Sequence, residues 1–474
     1  MLSTLPSEIL IIISSQLESQ IDRLSLAGCS HRFRTLLLPH AFTSITIRKD
    51  CTWSLSSLVH ILVRSPTFAH HVLSLSLNTD NNHCQHPHKI QINEETMQEV
   101  LKNLGLTEED TPKWENDLRG KVEGSWEGQQ QDAWSAILLT LLPNLEVLQM
   151  EWGHEVDHRR TVLERASRSE GPVDTRPTFS RLREVYIRSY ETYTGISVSD
   201  VFPFFRFPSM RKFSSHVVIY GHKHEKTAEI PGDCNVTDLA LYSSSPTSGF
   251  AGLISRCARL ESFICQHASG LEWYSPLDHP SLHRKLIRHT NTLKEIAIYC
   301  EIDPCRPRGP NEDAFFGSLA GFSVLQKLRL RASNLLDWDS KALKARNHLW
   351  EVLPPSLQSL VVEDFHQCPN MEEFVEQLAD MIRNSYPGSP GPRSLEIRGI
   401  LHDLRKYHWR KGSRVGTLLL PAIASAAALL DLYCPDGGVD FAMCDVLLEM
   451  HFGCGLVPKE SYRVDSALSS LLSR

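Results

Sequence analysis

A short pattern, apolar-x-x-apolar-x-apolar, returns eight times along the 474-residue chain, and few folds accommodate such a recurrence. Its copies begin at Leu145 (with Leu148 and Met150), Leu182 (Val185, Ile187), Val236 (Leu239, Leu241) and Leu260 (Phe263, Cys265). They continue at Leu293 (Ile296, Ile298), Leu325 (Leu328, Leu330) and Leu357 (Leu360, Val362), with a weaker last copy at Leu395 and Ile397. From Leu260 onward the steps are 33, 32 and 32 residues, whereas 24 separate Val236 from Leu260 and 37 separate Leu145 from Leu182. Alternate apolar residues over so short a span describe one strand with one buried face, and the leading residue turns the chain into it.

Amphipathic helix candidates lie between the copies: Asp132–Leu142, Ser281–Thr290, Asp313–Phe322, Lys341–Leu353 and Glu372–Asn384. Strand then helix, repeated, resembles a leucine-rich-repeat solenoid, an α/β architecture in which no unit buries its own core and each must be covered by its neighbours. An ordinary α/β domain with leucine-rich strands is the rival. Two stretches interrupt the array. Asn78–Gln131 is polar and charged around one helix, Glu94–Leu104; Val156–Pro177 is Arg/Glu-rich and ends in G-P-V-D-T-R-P-T. Both are expected to project as long, partly disordered insertions. Pro387–Pro392 reads as a stiff loop. A helix near Leu418–Leu430, then a strand at Leu432–Tyr433 and the closing Tyr462–Arg474, would cap the end.

The first fifty residues differ. L-P-S-E-I-L-I-I-I-S-S-Q-L (Leu5–Leu17) opens with Pro6, whose missing N–H suits a helix start, and with Glu8, which complements the positive helix end. Ile9, Leu10, Ile12, Ile13 and Leu17 make an apolar face wider than one helix can hide. Two more short helices, Ile21–Cys29 and Ser30–Leu38, precede the strand-like Thr43–Ile47. So small a core leaves apolar surface over, and such surface docks on something.

Leu5–Leu38 resembles an F-box, with L-P-S-E-I-L as the opening common in fungal members and R-F-R-T-L-L-L further on. The resemblance implies that Leu5 and Pro6, with Glu8 beside them, contact the Skp-type adaptor of a cullin–RING ubiquitin ligase. Ile9, Ile13, Leu17 and Leu24 would be apolar positions of the first two helices, and Phe33 the aromatic of the third. Cys29 stands four residues before Phe33, so either Ser30 takes the usual Cys position or one residue is inserted. The alternative without a partner is a helical cap on the repeats.

Other chemistry finds little support. H-E-V-D-H (His154–His158) spells a zinc-hydrolase motif, in which His154 and His158 would bind zinc and Glu155 activate water. Here Asp157 falls inside it, Arg159 and Arg160 follow, and Gly153 precedes it, so it reads as the turn after a strand. H-C-Q-H-P-H (His83–His88) offers soft ligands but sits in a polar stretch, in a chain with 22 His. R-K-Y-H-W-R-K-G-S-R (Arg405–Arg414) reads as a solvated face, with nuclear import or an acidic partner as the sharper alternatives. Phosphate-loop, dinucleotide and nucleophile-elbow motifs are lacking. Neither a catalytic residue nor a cofactor or metal is assigned.

Composition closes the frame. Lys+Arg 49 against Asp+Glu 56 gives a net charge of −7, which disfavours a nucleic-acid binder. Twelve Cys without a C-x-x-C pair describe a reduced, intracellular chain, cytoplasmic or nuclear. The apolar stretch Ile9–Ile13 is too short for a signal peptide. Val415–Cys434 carries Pro421 and Asp431 and is expected to be a buried helix and strand, not a membrane span. The expected layout is residues 1–48 as F-box, 49–142 as a first repeat with its polar insertion, and 143–474 as solenoid with cap. Its expected function is substrate recognition for a ubiquitin ligase, the F-box holding the Skp adaptor and cullin while the repeats hold a protein target. A non-ligase scaffold is the alternative.

Overall fold

The computed structural model describes residues 4–17, 19–48, 52–78, 93–120, 127–153, 156–169, 179–189, 195–219, 234–244, 248–267, 277–300, 313–383, 391–401, 421–436 and 438–445. The chain forms two compact units, Met1–Val236 and Thr237–Arg474.

The first unit begins with three helices, α1 (Ser7–Gln16), α2 (Gln20–Gly28) and α3 (His31–Ala41). Parallel strands follow: β1 (Ser44–Arg48), β2 (Ser74–Asn78), β3 (Val147–Trp152) and β4 (Glu184–Ser189), with β5 (Ile196–Ser197) outside the main sheet. β6 (Lys212–His216) pairs with β4, and β7 (Val218–Ile219) pairs with β5. Registers align the apolar positions, so Leu75 faces Leu148, Leu148 faces Val185 and Val185 faces Phe213. All four are nearly inaccessible to solvent.

The second unit repeats the arrangement with β8 (Asp238–Ser244), β9 (Ser262–His267), β10 (Glu295–Cys300) and β11 (Lys327–Arg331). It ends with β12 (Ser359–Glu363), β13 (Ser394–Gly399) and β14 (Asp440–Asp445). Leu239, Phe263, Ile296, Leu328, Leu360, Leu395 and Phe441 stand side by side in register, all buried. Every one of these neighbours is parallel, which requires a crossover outside the sheet in each repeat.

Strand entry has a common backbone signature. One carbonyl of the preceding strand's approach accepts two successive N–H groups of the next: Thr43 O takes Leu73 and Ser74, Glu146 O takes Arg183 and Glu184. Lys294 O takes Gln326 and Lys327, and Gln358 O takes Arg393 and Ser394. Register is thus set at the corner, and the connection behind it can vary in length. This is why steps of 24 and 37 residues fit the same fold.

All eight predicted copies are strands, and β2, β6 and β14 add to them. β2 carries the full pattern (Val72, Leu75, Leu77), while β6 hides it because its third inward position is Ser215, fully buried. Helix predictions fare unevenly. Glu94–Leu104 is a helix as expected, Asp132–Leu142 becomes Glu127–Thr140, and Glu372–Asn384 becomes Met371–Arg383. Ser281–Thr290 becomes the helix His279–Leu286 with a tight turn Ile287–His289.

Asp313–Phe322 is not helical. Phe316 N–H and Leu319 N–H donate to Asn334 O and Val352 O, and Gly317 takes φ +126. The segment thereby inserts Phe316, Leu319 and Phe322 into the core without a helix. Lys341–Leu353 is helical only over Leu349–Val352, because Trp338 and Ala345 bridge in an antiparallel loop with Leu343 at φ 50.

The two insertions contain more structure than their composition announced. Asn78–Gln131 contains a second helix, Asp110–Arg119, and the start of Glu127–Thr140, and Val156–Pro177 contains Asp157–Ser167. Pro421–Asp436 is one helix that runs through Leu432–Tyr433, where a strand was expected; the strand comes later, as β14. Among the described residues no helix is long and apolar enough to cross a membrane. Pro387–Pro390 and Tyr462–Arg474 lie outside the described residues.

Candidate interaction surfaces

The three N-terminal helices enclose a small core of Leu10, Ala27, Phe33 and Leu37, with Leu5, Ile11, Leu26 and Leu36 packed at its edge. Helix α1 starts directly after Pro6. Ser30 caps α3, its hydroxyl accepting from Phe33 N–H at 3.1 Å, and Arg32 ties α3 to the chain start through Leu5 O at 2.8 Å. Cys29 is exposed at the end of α2 and Ser30 opens α3, so the cap role belongs to Ser30.

A core this small cannot take in the whole apolar face. Ile9 (41%), Ile12 (55%), Ile21 (74%) and Leu24 (39%) remain exposed on α1 and α2. Pro6 and Glu8 are exposed with them, and Leu5, Ile13 and Leu17 are half-buried. Phe33, at 4% exposure, braces the face from inside. Ile12 and Ile21 were not singled out as site residues from sequence, because spacing alone does not say which isoleucines of a wide face the third helix covers.

His158 has a role unrelated to zinc. The helix begins at Asp157, after the N-cap Val156, so His158 stands in its first turn. His158 Nε2 lies 2.7 Å from Asp117 Oδ2, and its ring packs on Trp114 with centroids 4.0 Å apart. Beside it Arg159 Nε donates to Asp132 Oδ1 at 2.6 Å, and His158 N–H to Asp132 Oδ2 at 2.7 Å. Arg160 and Trp152 both donate to Asp200, at 2.8 and 3.1 Å. This buried network fastens helices Asp110–Arg119 and Glu127–Thr140 to the end of β3. Its acids and bases are scattered over the sequence, which is why no motif announced it. His154, Glu155, His83–His88 and Arg405–Arg414 lie outside the described residues. Among the described residues no group of three or more His, Cys, Asp or Glu could hold a metal ion.

In the second unit, the sheet face opposite the buried row carries a charge ladder. Arg329 lies over the Tyr299 ring, its Cζ 3.6 Å from the centroid, and donates from Nε to Glu363 Oε1 at 2.6 Å. Arg398 reaches the same Glu363 oxygen at 3.1 Å and Glu396 at 2.6 Å. Burial pushes the Glu363 carboxyl up, opposed by Arg329 and Arg398, and burial likewise raises the Tyr299 phenol. At the end of β11, Arg331 is buried against Asp364 at 3.0 Å and Asp313 at 3.3 Å.

Parallel strands in register, one per repeat, with carbonyl-to-double-N–H corners define a repeat protein whose exposed sheet face is preassembled for contact. Residues 131–400 match a leucine-rich repeat domain, more than half of the chain, and the chain belongs to the leucine-rich repeat family. The match does not reach the N-terminal helices. No curated protein matches the chain. Domains of this family are interaction modules, so the chain binds protein partners.

Proposed function

We propose that the chain is the substrate-recognition subunit of a cullin–RING ubiquitin ligase. The helices α1–α3 dock on a Skp-type adaptor and through it on a cullin, and the repeats hold a protein target. The observation that carries this reading is the exposed Ile9, Ile12, Ile21 and Leu24 face over a closed three-helix core, joined to the F-box resemblance of Leu5–Leu38. In this reading residues 1–48 are the docking domain, 49–142 the first repeat with its insertion, and 143–474 the solenoid, in a cytoplasmic or nuclear protein. No residue of the chain is chemically consumed. Holding a target lysine near a charged conjugating enzyme raises its effective concentration, and that suffices to direct transfer.

The test is capture of the full-length protein by a recombinant Skp adaptor, beside Leu5→Ala/Pro6→Ala and Ile9→Asp/Ile12→Asp variants. Both variants alter the exposed face and its margin, leaving Leu10, Phe33 and Leu37 in place. Capture of the wild type and its loss in both variants, with helix content unchanged by circular dichroism, is the expected result. No capture of the wild type at micromolar concentration would refute the ligase reading and leave a scaffold.

A further inference from the structure

Strand β11, K-L-R-L-R, turns Leu328 and Leu330 inward and sets Lys327 and Arg329 on the outward face, about 6.6 Å apart along the strand. Among the described residues the Lys327 ammonium has no partner and is exposed. Arg329 is held in one orientation from two sides, by the Tyr299 ring beneath it and by Glu363 along its Nε edge. Its side chain keeps 30% exposure, and the NH1 edge of the fork makes no hydrogen bond among the described residues. Glu363, at 4%, lies beneath this surface, so the cationic groups accessible at the spot are Lys327 and Arg329, beside the half-buried Glu295.

The neighbours leave room. Ala297 and Val361 flank Arg329 in register, and Ser359 flanks Lys327. Glu295, on the other side of Lys327, accepts from the Ser262 hydroxyl at 2.8 Å. A planar fork whose rotamer is already fixed loses little entropy on binding, and its free edge matches an acidic group's oxygens. Two cations fit one such group rather than the repeating phosphates of a nucleic acid.

We propose that Lys327 and Arg329 form a pocket-free recognition point for one acidic side chain, a carboxylate or a phosphate, on the docking segment of the protein target. This rests on the reading that the repeats bind a protein. The experiment uses the full-length chain and four labelled, otherwise degenerate peptide pools whose fixed central residue is glutamate, phosphoserine, alanine or lysine, read by fluorescence polarisation. Binding of the glutamate or phosphoserine pool at least about ten-fold tighter than the alanine and lysine pools is expected, and the tighter of the two identifies the source of the charge. Arg329→Ala and Lys327→Ala should each abolish that preference, and Arg329→Lys should not restore it. Glu363 keeps Arg398 in the Arg329 variants, so their melting temperatures should stay near wild type. Equal binding of all pools, no binding of any, or a preference surviving in both alanine variants overturns the proposal. A wild-type chain that shows no pool preference but is captured by the adaptor overturns this inference alone, whereas a wild-type preference without adaptor capture overturns only the ligase reading.

Discussion

Replacing His279 should flatten the response of the protein to mild acid. His279 opens the helix His279–Leu286 and is 1% exposed, and its Nδ1 has no hydrogen-bond partner among the described residues. Burial, then the Arg331 guanidinium and His267, lower its pKa from 6.5 to about 3, while Asp313 opposes them. A group whose folded pKa is depressed contributes stability above its unfolded pKa, here 6.5, and loses it as pH falls toward about 3. Between pH 7.5 and pH 5 the unfolded imidazole gains its proton while the folded one stays neutral. From the linkage relation this costs the fold about 2 kcal/mol.

His279→Leu removes the titration at similar volume and also removes a buried polar atom without a partner. Urea unfolding followed by circular dichroism at pH 7.5 and pH 5 gives the comparison. The wild type should lose about 2 kcal/mol more than the variant over that interval. His60, His283 and His289, also lowered chiefly by burial, contribute equally to both proteins and cancel. An identical acid loss in the two proteins would refute the reasoning, because a buried imidazole near Arg331 and His267 could not then be kept neutral.

Two other outcomes follow from the packing. Asp132→Ala strips the carboxylate that pairs with buried Arg159 and an acceptor from His158 N–H, and should cost about 3–5 kcal/mol, read as a lower urea midpoint. Gly317→Ala should destabilise by at least about 1–3 kcal/mol, because φ +126 strains an L residue and the new Cβ would collide with the His283 ring. Adding His283→Ala should recover part of that loss, and a strictly additive double mutant would show that the collision is not the cause.

The repeat was legible because its requirement is local. Residues Leu293, Ile296 and Ile298 can face one core only as a short strand with alternate side chains inward, and the same holds for Leu325, Leu328 and Leu330. The three N-terminal helices could be read from their apolar spacing for the same reason. What the chain did between strands depended on neighbours. Asp313–Phe322 has helical composition, but its N–H groups found acceptors at Asn334 and Val352, and its three aromatic and leucine side chains found space in the core. Polar Asp110–Arg119 is ordered because Trp114 and Leu118 are buried and Asp117 meets His158 across 41 residues of sequence.

The same division applies to the surfaces. Periodicity alone determined that β11 would expose Lys327 and Arg329, since strand geometry sends alternate residues outward. Only the tertiary structure decided that Tyr299 lies under Arg329 and Glu363 beside it, because those contacts cross to neighbouring strands whose register is set at the corners. At the N-terminus, sequence determined that more apolar side chains exist than one helix can bury. The packing of α3 decided which of them, Leu10 and Phe33, close the core and which, Ile9, Ile12, Ile21 and Leu24, remain outside, since burial is settled by the neighbours a side chain meets and not by the side chain itself.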